Sequence, residues 1–265
     1  MATILEEGKR GVTSICSNVI FLLDTSGSMY GERINQLNYG MNETLNALID
    51  VSLKQETDVY VRVVEYNNSA KWIIGSADKG VEVESAARQW RNLTANGGTD
   101  TAGAIELSLK ALRTEYIGLR NKKPVVILIT DGDSNDRKAT ERASDILKSA
   151  MSGSSGKEKI IRVAVGVQDY NASELEYFAS KGNIKDENGM RENVPLVFGV
   201  DSVDKLAGVI QNVTVSSLYS TTNKDAVDFS NGDDTNTAAS LAKEQDDDLV
   251  IIDTTDKTEE SWDDT

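Results

Sequence analysis

Val19 to Leu23 is an unbroken apolar run that stops at Asp24-Thr-Ser-Gly-Ser28, and this junction limits the chain to few folds. Five apolar residues without alternation describe a strand buried on both faces, the pattern of a parallel sheet covered by helices. The polar side chains begin where the strand ends. In open α/β sheets, ligands collect at those carboxyl ends. Asp24, Ser26 and Ser28 offer one carboxylate and two hydroxyls there, a donor set suited to a hard cation.

Two later segments repeat the pattern. Asn96-Gly97-Gly98-Thr99-Asp100 precedes Ile105, Leu109, Leu112 and Tyr116, which recur at helical spacing, so Thr99 lies on a loop at a helix start. Val125 to Thr130 is a second buried-type strand, ending in Asp131-Gly132. Gly97 and Gly98 supply backbone freedom that lets Thr99 approach a metal. No Gly-x-x-x-x-Gly-Lys-Ser/Thr phosphate loop occurs in the chain.

Asp-x-Ser-x-Ser alone also describes a turn held by side-chain to backbone hydrogen bonds. A phosphatase of the Asp-x-Asp type would need a second carboxylate where Ser26 stands. With all three segments taken together, the chain resembles the von Willebrand factor A (vWA) domain family. The metal-ion-dependent adhesion site (MIDAS) of that family reads Asp-x-Ser-x-Ser, then Thr, then Asp. The resemblance covers roughly residues 15–220. It implies that Ser26 and Ser28 bind a metal directly, that Thr99 does so in a ligand-competent state, and that Asp24 and Asp131 act mostly through water. Hydroxyl, carboxylate and water donors favour Mg2+, with Mn2+ as a substitute. Mainly neutral direct ligands leave the cation electrophilic, so a partner's Asp or Glu can take the vacant position. That is a binding mechanism rather than an enzymatic one.

The remaining pattern alternates strand and helix. Ile34, Leu37, Met41, Leu45 and Leu48 form one stripe of a long helix. Residues 58–66 and 70–74 read as strands joined through Asn67-Asn68, an antiparallel edge pair. Ala143, Ile146, Leu147, Ala150 and Met151 mark another helix, followed by a strand over 159–167, a short helix over 173–180, a strand over 195–200 and a closing helix over 202–215. The expected fold is a doubly wound, mostly parallel α/β sheet with one antiparallel edge strand. The polar segment Gly182 to Asn193 reads as a loop, either ordinary or an insertion on the binding face. Asp100, Asp133 and Asp136 read as solvated loop acids or as outer groups of the metal site.

Composition sets further bounds. The chain has no histidine, which excludes a Ser-His-Asp triad, a His-ligated zinc site and a histidine pH switch within it. Cys16 is the single cysteine and reads as a bland thiol in a reducing compartment. Residues 1–14 form an N-terminal extension with Glu6, Glu7, Lys9 and Arg10 and no apolar core of signal-peptide length, so the expected location is cytoplasmic. Residues 15–222 are the part that the resemblance implies is a vWA domain. Residues 223–265 carry 14 acids and 3 bases, which is −11 of the total −15, and read as a disordered acidic tail. Neither a basic stripe for nucleic acid nor an apolar stretch of membrane-spanning length is present.

Two islands in the tail, Leu249 to Ile252 and Trp262, are candidate partner-binding motifs, through strand addition and a pocket anchor respectively. A carboxylate of the tail is itself a candidate occupant of the metal's open position. Among branches of the family, the chain most resembles the bacterial tellurite-resistance, TerY-like proteins, through Phe21-Leu-Leu-Asp-Thr-Ser-Gly-Ser-Met29 and Thr130-Asp-Gly-Asp133. That resemblance implies a stress-response or phage-defence complex with kinases, phosphatases and other stress-operon proteins. An alternative is a subunit that partners a chelatase or MoxR-type AAA+ ATPase.

Overall fold

The computed structural model describes residues 16–113, 122–153, 158–186 and 189–220. The N-terminal extension, Tyr116 and the acidic tail with its two islands lie outside the described residues.

The first apolar run becomes β1 (Cys16–Asp24), flanked on either side by parallel strands β2 (Asp58–Tyr66) and β5 (Val125–Thr130). Outward from β5 follow β6 (Ile161–Val167) and β9 (Val197–Val200), both parallel. Beyond β2 lies β3 (Ala70–Ile74), antiparallel, and the two-residue β4 (Val81–Glu82) also pairs antiparallel with β2. The order is therefore β3-β2-β1-β5-β6-β9. The expected doubly wound sheet and its antiparallel edge are both present, with β4 as an addition that two residues could not announce by periodicity.

Helices cover both faces, and β1 shows why its run had to be continuous. Val19, Phe21 and Leu23 pack with α1 (Glu32–Gln55), α2 (Val83–Gln89) and α6 (Leu206–Ser220). Ile20 and Leu22 point the other way, into the layer of α3 (Thr101–Arg113), α4 (Arg137–Ala150) and α5 (Ala172–Phe178). With side chains alternating across a strand, a sheet covered on both faces demands apolar residues at every position. Each such side chain stabilises the fold by about 1.5–3 kcal/mol through burial.

The stripe predicted for α1 is buried throughout, from Ile34 to Leu48. The helix ends at Glu56, whose left-handed backbone (φ 49°) lets its N–H turn back to the Leu53 carbonyl. Asn38, on the same helix, interrupts the apolar face for a reason that lies 55 residues away. Its amide donates to the Leu93 carbonyl at 3.0 Å and accepts the Leu93 N–H at 2.7 Å, which pins the segment leading to Thr99. On α4 the buried residues are Thr140, Ala143, Ser144 and Leu147, whereas Ile146 is 45% exposed, so it does not belong to the core stripe assigned to it.

The segment Gly182 to Asn193 is not a loop. It forms most of a hairpin, β7 (Lys181–Asp186) and β8 (Gly189–Pro195), antiparallel to each other. Pro195 closes β8, and β9 begins only at Val197, which shortens the strand expected over 195–200. The base of the hairpin hangs from the starts of β6 and β9. Ser180 N–H donates to Arg162 O, Leu196 N–H to Ser180 O, and Ala164 N–H to Leu196 O. That is the amino edge of the sheet, opposite the ends where Asp24 and Asp131 emerge, so the hairpin is no insertion on the binding face.

Lys122 precedes β5 at this same amino edge, with its ammonium donating to Gln55 Oε1 at 2.9 Å and Thr57 Oγ1 at 3.4 Å. Burial among neutral partners pulls its pKa down to about 8. The unfolded chain, with an ordinary lysine, holds a proton between about pH 8 and 10 that the folded chain has released. Stability therefore rises with pH across that window. Urea midpoints measured from pH 7 to 10.5 are expected to show this rise, and Lys122→Met is expected to remove it.

Candidate metal centre

The chain leaves β1 toward β2 on one side and returns at β5 on the other, so the strand order reverses between β1 and β5. Ligands of open α/β sheets gather at such a switch point. Asp24 is the last residue of β1, and Asp131 follows the last residue of β5.

Four of the five predicted residues form one hydrogen-bonded chain. Asp24 Oδ1 accepts the Ser26 N–H at 2.7 Å, the turn that the Asp-x-Ser spacing permits. Ser26 Oγ and Ser28 Oγ are 2.9 Å apart, and Ser28 Oγ donates to Asp131 Oδ1 at 2.7 Å. The turn reading and the metal reading are thus the same structure, since the side-chain to backbone bond sets the hydroxyls side by side. Asp24 is wholly buried, Ser26 and Asp131 nearly so, and Ser28 is exposed. The donors therefore open to solvent at Ser28, over two sunken carboxylates.

Thr99 reaches this edge through its loop. Gly97, with φ 77°, accepts the Gly27 N–H on its carbonyl at 2.9 Å, joining the first and second loops directly. Asn96 N–H donates to Thr25 O at 2.8 Å, Gly98 N–H to Asn68 Oδ1 at 2.7 Å, and Asp100 N–H to Asn67 O at 2.7 Å. The Thr99 carbonyl accepts Asn135 N–H at 2.9 Å, which ties the second loop to the third. The Asn67-Asn68 turn thus anchors the Thr99 loop as well as joining β2 to β3.

The buried Asp24 carboxylate is costly to keep charged. Burial raises its pKa to about 6, against the lowering effect of hydrogen bonds from Thr130 and Ser26; the charge of Asp131 adds to the rise. Thr130 Oγ1 donates to Asp24 Oδ2 at 2.6 Å. A divalent cation offsets the cost of holding two carboxylates in so dry a place.

The donors fit such an ion. Cis ligands of an octahedral Mg2+ at 2.0–2.1 Å stand about 2.8–3.0 Å apart, and the two serine hydroxyls already have that separation. Among the described residues no three acidic or thiol side chains form a metal cluster. The set is hydroxyl-rich, which suits a hard, water-retaining ion rather than a chelated soft one.

The outlying acids have other work. Asp100 caps α3 by accepting Gly103 N–H at 3.0 Å, and Asp136 caps α4 by accepting Ala139 N–H at 2.9 Å. Asp133 is exposed on the third loop. Cys16 is half-buried, and burial followed by the charge of Asp58 pushes its thiol pKa up, which keeps thiolate scarce and agrees with a bland role.

Two contributors were missed from the sequence. Thr130 lies on the same sheet face as Asp24, one step beyond the Leu23–Ile129 pair, a relation that needs the strand register. Arg33 joins Asp131 in an ion pair from the first turn of α1. Its signal was a cation nine positions after Asp24, on the helix that the metal loop enters.

The fold and the site together define a doubly wound α/β domain with hydroxyl and carboxylate donors at its topological switch point. The chain matches the von Willebrand factor type A domain over residues 18–196, and it belongs to that family. Domains of this family are usually non-catalytic interaction modules, and those with a MIDAS bind divalent metals. It is 32% identical over 125 residues to inter-alpha-trypsin inhibitor heavy chain H4 of Sus scrofa, covering 46% of this chain and 13% of that one. To heavy chain H1 of Homo sapiens it is 25% identical over 179 residues, covering 65% and 19%. The chain thus spans less than a fifth of the length of these relatives. Among solved structures it is similar to a von Willebrand factor type A from Catenulispora acidiphila, with TM-score 0.57 and 19% identity, over 77% of this chain and 43% of that one. Proximal thread matrix protein 1 from the mussel byssus, with zinc occupying its MIDAS motif, gives TM-score 0.53 and 20% identity over 76% and 46%. At these identities the likeness is one of fold.

Proposed function

We propose that this chain is a metal-dependent protein-interaction module in which a divalent cation, Mg2+ or Mn2+, rests on Ser26, Ser28 and Thr99 directly and on Asp24 and Asp131 through water. The observation that carries this reading is the hydroxyl pair at octahedral spacing above two buried carboxylates. The zinc-occupied motif in the mussel protein supports a divalent ion at the corresponding place. Bound there, the metal supplies a Lewis-acidic position for the Asp or Glu of a protein partner. The chain's own residues do the rest: the hydroxyls leave the ion's charge largely uncompensated, the buried carboxylates retain it, and Tyr30, 81% exposed beside the metal loop, offers the partner an aromatic contact.

The proposed setting is the cytoplasm, in a bacterial tellurite-resistance-like stress-response complex. Support for it is the resemblance of Phe21 to Met29 and of Thr130 to Asp133 to the TerY-like branch. The test is capture of partners by the full chain from its native lysate with Mg2+, with EDTA, and with Asp24→Asn, which removes the charge but keeps the side chain's shape. Partners lost in both of the latter support the module and name its setting. Partners retained in all three would move the binding function to another surface.

A further inference from the structure

We infer that Arg33 is a tethered cation that competes with the metal for Asp131, setting how tightly the site loads. This rests on the metal reading above and adds a regulator to it. The Asp131 carboxylate is fully desolvated at its side chain, and Arg33 Nη1 pairs with its Oδ2. Among the described residues Arg33 is the one cation within ion-pair reach of Asp131. Its Nη1 also donates to the Ser28 carbonyl at 3.3 Å, and its Nε donates to Gln168 Oε1. One guanidinium therefore ties together the loops that follow β1, β5 and β6.

The placement is specific. Gln168 holds a left-handed backbone (φ 53°) that favours glycine, secured by its N–H to Val200 O at 2.7 Å, and its side chain accepts from Arg33. A guanidinium keeps its charge at every physiological pH. It neutralises a buried carboxylate that would be costly alone, and it repels a divalent ion drawn to the same carboxylate. Ser28 bonds Oδ1 while Arg33 bonds Oδ2, so each oxygen of Asp131 has a protein partner. The Arg33 side chain is 24% exposed and can swing outward. Loading then exchanges a resident +1 for an incoming +2.

The test is Mn2+ titration followed by electron paramagnetic resonance, with thermal unfolding read in parallel, on the full chain and on Arg33→Gln, Arg33→Lys and Ser26→Ala. Arg33→Gln is expected to tighten Mn2+ binding about tenfold, equivalent to about 1.4 kcal/mol. It is also expected to lower the metal-free Tm and to enlarge the rise in Tm on adding Mn2+. Arg33→Lys keeps the charge and is expected to stay within about threefold of the parent, which also separates charge from any misfolding of the glutamine variant. Unchanged or weakened binding in Arg33→Gln, with Ser26→Ala still abolishing it, would overturn the competition while leaving the metal site standing. Absence of Mn2+ binding in every chain would overturn both.

Discussion

Ser26→Ala is expected to weaken Mg2+ or Mn2+ binding by more than about a hundredfold while leaving the unfolding midpoint nearly unchanged. The two halves of this expectation come from different atoms. Ser26 holds the turn through its backbone N–H, which donates to Asp24 Oδ1 at 2.7 Å and survives the substitution. Its hydroxyl lies 2.9 Å from Ser28 Oγ and also bonds the Asp24 carboxylate. Loss of these contacts costs the fold about 1 kcal/mol. A proposed direct ligand, by contrast, ought to matter more than groups behind the ligands, whose loss typically costs 10–100-fold in metal affinity. Isothermal titration with Mn2+ and a urea melt on the same preparation check both halves. Retained affinity would place the cation elsewhere, and a large loss of stability would make Ser26 a structural residue first.

The second large effect is expected in the core. Gly40→Val should destabilise the fold by about 3 kcal/mol, the upper part of the range for overpacking. Judged locally, glycine in the middle of α1 is a defect of about 1 kcal/mol relative to alanine. The helix packed against it reverses that judgement. A Cβ at position 40 would stand 2.7 Å from the Ala207 Cα and 3.2 Å from Ile210 Cδ1, so α1 and α6 must separate to admit it. Backbone cannot yield as a flexible side chain can. Gly208 supplies the control, since a Cβ there meets nothing within 4 Å. Gly208→Ala should stabilise the fold by up to about 1 kcal/mol. Denaturant midpoints of the two variants should move in opposite directions.

Much of the layout was legible because it rests on short-range patterns. A strand buried on both faces announces itself as an apolar run, as at Val19–Leu23 and Val125–Ile129, and a core-facing helix as a 3.6-residue stripe, as from Ile34 to Leu48. Misreadings arose where local composition and tertiary use diverge. The 182–193 segment is polar and turn-rich, yet it pairs with itself as a hairpin at the amino edge. Ile146 looks like core but faces out, because the buried face of α4 runs through Thr140, Ala143, Ser144 and Leu147 instead. Asp100 and Asp136 sit beside the proposed ligands, yet both are spent on helix caps.

The five proposed site positions were read from the chain alone because strand ends and the chemistry of Asp, Ser and Thr are local properties. Their assembly was not local. That Ser28 meets Asp131, 103 residues away, depends on β1 lying beside β5, and that Thr130 supports Asp24 depends on the register between those strands. Arg33 could be read as a surface cation on a helix. Only the docking of α1 over the sheet turns it onto Asp131 and Gln168, where it pairs with one carboxylate of the site. Residue type and spacing determined which donors this protein offers; sheet order, register and helix packing decided which of them meet, because contacts across about a hundred residues are set by the packed core rather than by neighbours in the chain.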